Sequence, residues 1–235
     1  MKFESVPLAE PVLSKHLDVD LERLHRSLLR MAGYVEDAVV TAATALQARD
    51  PEACARVVAG DADIDRLENE VQDECLKILA LHQPVAVDLR RVSAVLMITT
   101  DLERIGDMAV GIAERAAVVS RAPYVPIPEA IGGMTQRTLE MLRASLDAFV
   151  HLDTAAAIRV IIADDEVDRD NAEIIQGLIA RMQADPNTVE PAMSLFTAVR
   201  HLERIADHAT NIAEDVIYLV KGEMVRHHPE VLSGR

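Results

Sequence analysis

Four pairs of acidic residues, each pair four positions apart, have the types and spacing that could do chemistry in this chain. They are Asp61 and Asp65, Glu103 and Asp107, Asp164 and Asp168, and Glu203 and Asp207. Residues four apart share one face of a helix, so each pair would present two carboxylates side by side. Like charges so placed cost a helix about 0.2–0.5 kcal/mol, and the cost grows if two pairs meet. A cation held by oxygen ligands offsets it: Mg²⁺, Mn²⁺, Fe or Zn²⁺, in a multinuclear cluster if several carboxylates converge. Arg66, Arg104, Arg169 and Arg204 stand next to acids in sequence, but neighbouring helix residues point about 100° apart. These arginines are therefore not expected to face the acids beside them. With 39 acidic residues in 235, single pairs of this kind arise by chance and are ordinarily solvated helix surface. Recurrence at matching places is what chance does not supply.

The chain writes its phrases twice. HLERIADHATNIAED at 201–215 repeats DLERIGDMAVGIAER at 101–115, and DDEVDRDNAEI at 164–174 follows DADIDRLENEV at 61–71 with an offset of 103. Met31 with Met134 and Asp50 with Asp153 carry the same offset further back. The change from 103 to 100 falls at the connection between the second and third helices of each half, where a duplicated unit tolerates a length change. Within the repeated phrase Leu202, Ile205, Ala209, Ile212, Val216 and Leu219 keep the three-and-four spacing of a bundle seam, as do Leu102, Ile105, Ala109 and Ile112. Beside this seam runs a polar stripe, Glu203, Asp207, Asn211 and Glu214, against Glu103, Asp107, Gly111 and Glu114 in the first half. Glu68 extends the stripe of Asp61 and Asp65, and Asn171 that of Asp164 and Asp168. Glu68 and Asn211 are thus secondary candidates for the same cation sites.

Positioning these residues needs long helices, and the composition provides for them. Half the residues are hydrophobic, only 3% are aromatic, and there are 9 Gly and 10 Pro. Periodicity predicts helices over about 17–48, 52–81, 85–121, 129–151, 154–184 and 188–221. The three prolines of 123–128 mark a linker. The expected fold is all-α: six long helices forming two tandem three-helix bundles related by internal duplication. The expected units are 1–122, a Pro-rich linker 123–128, and 129–235 with a short basic tail.

A net charge of −15 is repelled by phosphate backbones and anionic lipid, which argues against nucleic-acid partners and favours cations or basic protein surfaces. Cys54 and Cys75, 21 apart on one predicted helix, are too distant for a disulfide and read as core residues of a reduced, cytoplasmic protein. No basic-plus-apolar leader or spanning run is visible, so direct membrane insertion is not expected. Glu22-x-x-His25 is the only E-x-x-H, whereas a di-iron bundle needs two with further glutamates. His201 and His208, two turns apart, read as surface or partner-facing positions, with His208 beside Asp207 and near the acidic stripe. His227 and His228 read as solvated tail.

LERIGD at 102–107, LERIAD with HATNIAE at 202–214, QPVAVDLR at 83–90 and VIYLVKGEMVRH at 216–227 resemble the PhoU family. The resemblance runs over nearly the whole chain. It implies a cytoplasmic, non-enzymatic regulator, peripheral to the inner membrane through its partners and usually a homodimer. Those partners would be the ATPase of the phosphate ABC transporter and a PhoR-type sensor kinase, with repression of the phosphate-starvation response when phosphate is plentiful. It also implies multinuclear metal clusters on E/D-x-x-x-D motifs, here Asp61, Asp65, Glu103 and Asp107, then Asp164, Asp168, Glu203 and Asp207. The family pattern has His and Asn where this chain has Met108 and Gly111. On that ground the first cluster is expected to bind metal more weakly than the second.

Overall fold

The computed structural model describes residues 12–122 and 125–222, with the side chains of 12–15 excepted. The linker residues Pro123 and Tyr124 and the basic tail from Glu223 onward, His227 and His228 included, lie outside the described residues. The described residues form an all-helical protein of six long helices: α1 (Val12–Ala48), α2 (Pro51–His82), α3 (Ala86–Val119), α4 (Ala130–His151), α5 (Thr154–Ala184) and α6 (Val189–Lys221). A 3₁₀ turn at Pro186–Thr188 leads into α6.

The helix ends show the duplication at the level of single hydrogen bonds. Asp50 caps α2, its carboxylate accepting from the backbone N–H groups of Glu52 and Ala53, and Pro51 follows at the first helical position. Asp153 does the same for α5, accepting from Ala155 and Ala156. Just before these caps Arg49 and Leu152, also 103 apart, both turn the chain with positive φ, 55° and 53°. At Arg49 the turn carries a further task. Its guanidinium donates to the carbonyl oxygens of Val119 (2.6 Å) and Ala122 (3.2 Å), and to that of Val125. One cation thus gathers the end of α3 and the entry to the second half.

Helices α1, α2 and α3 pack on one another, and so do α4, α5 and α6. The two bundles join along α3 and α6, the most extensive helix pair, and more lightly along α1 and α4. Leu102, Ile105, Ala109, Ile112, Leu202, Ile205, Ala209, Ile212 and Val216 are all fully buried, as their seam spacing predicts. Burying each Leu or Ile contributes about 1.5–3 kcal/mol. Cys54 and Cys75 are buried and unpaired, and burial, with Glu74 adding, pushes the Cys75 thiol up to about 12. Between α1 and α4 the ring of His25 stacks on Phe149 at 5.1 Å, and Arg143 pairs with Glu36 at 2.5 Å.

These pairings place α2 and α5 on the two outer edges of a slab. One broad face is made by α1 and α4 between them, and the other by α3 and α6. The carboxylate stripes lie where α2 meets α3 and α5 meets α6, hence on the α3/α6 face.

Candidate metal centre

Each stripe is positioned by its seam. Ile64, Leu67 and Val71 bury one side of α2, and Ile105 and Ile112 bury one side of α3. The acids flanking these positions are thereby held at the helix edge. Asp61, Glu68 and Glu103 are half-buried, while Asp65 and Asp107 are exposed. Burial is the first cause raising the carboxyl of Asp61, and the charges of Asp65 and Asp107 raise it further. Glu103 is raised by burial and then by Asp107, with Arg104 opposing and Glu68 and Asp65 adding to the rise. Glu68 is raised by burial and by Asp65, against the pull of Arg104 and of the hydrogen bond from Gln72, 2.8 Å away. The structure therefore brings Asp61, Glu68 and Glu103 each into the field of Asp65 and Asp107.

The second half repeats this with deeper enclosure. Burial, then Asp207, Asp168, Glu203 and Asp165, push the Asp164 carboxyl up to about 7. Glu203 is raised by burial, Asp207 and Asp168 despite Arg200, whose Nη1 donates to its Oε1 at 2.7 Å. Asp207 is raised by burial and Asp168 despite His208, Arg200 and Arg204. Among the buried oxygens of these helices without a hydrogen-bond partner are Glu203 Oε2 and the Oδ1 of Asn171, the position equivalent to Glu68. Unsatisfied buried acceptors beside crowded carboxylates are what a cation would complete. The donor set, all carboxylate and amide oxygen, fits hard or borderline cations. Among the described residues no three His, Cys, Asp or Glu side chains are already drawn together tightly enough to hold a metal ion. The acids are neighbours in a common field, not a closed coordination shell.

The arginines behave differently from the sequence expectation. Arg104 reaches Glu103 Oε2 at 3.4 Å and Asp107 Oδ2 at 3.3 Å. Helical angle excludes such contacts only for short side chains, and the long arginine stem bends back along the surface. Arg66 instead pairs with Asp63 and Glu70, and Arg169 donates to the carbonyl of Asp165.

Two of the stripe positions point elsewhere. Asn211 is not among the acids: its Nδ2 donates to Asp101 Oδ1 at 3.2 Å across the α3/α6 contact. His208 Nδ1 lies 2.7 Å from the same oxygen. Asp101 is 7% exposed, and nothing in its own stripe singled it out. The available signal was that it stands at the repeat position of His201, opposite in kind. Gly111, the repeat position of Asn211, faces the partner helix as well. A Cβ there would lie 2.6 Å from His201 Nε2, so the missing side chain makes room for a histidine ring. The absent oxygen at 111 is therefore no loss to the first carboxylate group. What distinguishes the halves is the greater enclosure of the second. His201 and His208, expected at the surface or facing a partner, both lie in this inter-bundle contact.

These contacts are reciprocal. Position 101 of α3 meets 208 and 211 of α6, while 201 of α6 meets 111 of α3. A contact in which i meets j and the repeat of i meets the repeat of j is the mark of a twofold relation, here between the halves of one chain.

A model described as the PhoU domain matches residues 28–116 and again 131–216. The chain belongs to the PhoU family. It is 34% identical over 219 residues to the phosphate-specific transport system accessory protein PhoU of Serratia marcescens, which covers 92% of this chain and 90% of that protein. It is 39% identical to the PhoU homolog of Pseudomonas putida, covering 92% and 84%. The crystal structure of PhoU from Pseudomonas aeruginosa superposes with a TM-score of 0.83 at 36% identity, covering 88% of this chain and 99% of that one. The phosphate transport system regulatory protein PhoU from Streptococcus pneumoniae gives 0.84 at 28%, covering 89% and 99%. The PhoU family is non-enzymatic, and its two domain repeats account for the duplication. Among the described residues no helix is long and apolar enough to cross a membrane.

Proposed function

We propose that this chain is a cytoplasmic regulator of phosphate uptake. It acts peripherally at the inner membrane, linking the ATPase of a phosphate ABC transporter to a PhoR-type sensor kinase and repressing the starvation response when phosphate is plentiful. The observation that carries this reading is the match of both halves to the PhoU domain. The proposed units are 1–122 and 129–235, joined by 123–128, in a protein that acts as a homodimer. Deleting the gene, in a strain without a second family member, should raise alkaline phosphatase activity in high-phosphate medium. Activity that stays repressed would remove the regulatory reading.

The same reading includes multinuclear metal binding. Asp61, Asp65, Glu103 and Asp107, with Glu68, would hold one cluster, and Asp164, Asp168, Glu203 and Asp207 the other. A bound cation would neutralise the facing carboxylates and tie α2 to α3 and α5 to α6. The more enclosed second group should hold metal more tightly, since ion–carboxylate attraction grows as water is excluded. Elemental analysis of protein purified without chelator should show a larger loss of metal for Glu203→Ala and Asp207→Ala than for Glu103→Ala and Asp107→Ala. Equal losses would sink the asymmetry.

A further inference from the structure

Two exposed arginines, Arg56 on α2 and Arg159 on α5, stand 103 positions apart; neither forms a direct salt bridge among the described residues, though Arg159 lends its field to Asp153. Each borders a groove. The first, about 190 Å³, lies between α1 and α2, with Tyr34, Ala38, Thr41 and Val57 along it and Asp37 on its rim. The second, about 240 Å³, lies between α4 and α5, with Arg137, Met141, Ala144 and Val160 along it and Glu140 on its rim. Every residue just named in the second groove sits 103 after its counterpart in the first. The chain has thus kept not only a fold twice but one particular recess twice, with an arginine, an acid and an apolar floor in the same places.

The slab arrangement puts both grooves on the α1/α4 face, opposite the carboxylate groups, and the pseudo-twofold axis relates them. Each is too small to hold a protein alone, since a stable interface covers about 800 Å² per partner. A single asymmetric segment could fill one groove and leave the other idle. A partner made of two identical subunits would meet both with the same contact, and the second contact would then form at high effective concentration. The exposed Arg56 and Arg159 fit two equivalent carboxylates on that partner, each beside an apolar side chain that enters the groove.

We propose that the α1/α4 face is a bivalent docking surface for a twofold-symmetric protein, the pseudo-twofold axis of this chain lying along the true axis of the partner. Resting on the function proposed above, that partner is the pair of ATPase subunits of the phosphate transporter. One chain then engages one ATPase pair, and the carboxylate groups face away from it.

The test uses the full chain and the purified ATPase component assembled as a pair with nucleotide. Light scattering should give one chain per two ATPase subunits. In titration calorimetry Arg56→Glu and Arg159→Glu should each weaken binding about tenfold, and together at least a hundredfold, as two contacts of one bivalent surface do. Glu114→Lys, on the exposed part of α3, should leave affinity unchanged. Unchanged thermal melts would show that the groove variants fold. Binding that ignores both arginines, or one ATPase subunit per chain, would overturn the docking surface and leave the regulatory function standing. Groove variants that alter the self-association of the chain alone would assign the grooves to a second copy and overturn it too. Failure of the unaltered chain to bind the ATPase pair would remove the proposed partner itself.

Discussion

Replacing Asp101 with alanine is expected to lower the melting temperature by roughly 6–12 °C, at about 2–4 °C per kcal/mol for a chain of this size. Asp101 accepts from His208 and Asn211 across the contact between the bundles, at 2.7 and 3.2 Å, and is 7% exposed. Removing the carboxylate leaves two donors, on His208 and Asn211, without their acceptor, at about 1–3 kcal/mol each. The two together come to about 3 kcal/mol, since both donors are only part-buried. Asp101→Asn keeps the shape and one acceptor, and should recover most of the loss. His208→Ala should cost less than Asp101→Ala, because Asn211 still donates to the carboxylate. The repeat position offers a comparison: His201 packs on Gly111 with its Nδ1 unbonded, so His201→Ala removes packing and no hydrogen bond. A shift below about 2 °C for Asp101→Ala, where about 3 kcal/mol is expected, would show that the contact adds little to joining the halves.

Adding Mn²⁺, Zn²⁺, Fe²⁺ or Mg²⁺ to chelator-stripped protein should raise the melting temperature, most of all for the metal the site prefers. A ligand at a thousand times its Kd adds about 4 kcal/mol, or roughly 8–16 °C. Asp164 should decide how much of this gain survives. Its carboxyl is pushed up to about 7, by burial first and then by Asp207, Asp168 and Glu203. In the stripped protein the folded state holds this proton below about pH 7, while the unfolded chain releases it above its ordinary value near 4. The folded state therefore binds more protons between those limits, and stability rises as pH falls from about 7 toward 4. Above pH 7 both states are ionised, and the cost of the buried charge is borne in full. Asp164 is part-exposed, so solvent screening leaves on the order of 1–2 kcal/mol of this effect. Asp164→Asn should accordingly make stripped protein more stable at pH 7.5, flatten its pH dependence and reduce the stabilisation by metal. Thermal melts at pH 5.5 and 7.5, with and without metal, check all three. A variant less stable than the unaltered protein when stripped would show that Asp164 serves the fold, not a cation.

Most of the architecture is legible in the residue order. The seam of Leu202, Ile205, Ala209 and Ile212 is a local periodicity, and burial follows from period alone. Asp50 and Asp153 stand out in the sequence as a repeat pair, and the structure gives the reason: each short carboxylate accepts from backbone N–H groups two and three positions on. The pairing of Asp61 with Asp65, and of Glu203 with Asp207, follows from helical geometry within one element. The residue order leaves conditional that α2 meets α3 and α5 meets α6; the packing of these helices and the mutual elevation of Asp164, Glu203 and Asp207 supply it.

What the residue order could not supply was how the two bundles face each other. The duplicated phrases determined two like units, six helices and two acidic edges. Only the tertiary structure decided that Asn211 turns away from those edges toward Asp101, that Gly111 is empty for the sake of His201, and that Arg104 bends back over its own acids. Periodicity fixes which side of a helix is buried, but a helix packed between two neighbours has two buried sides. Whether a polar residue at the boundary serves one or the other depends on a partner a hundred residues away.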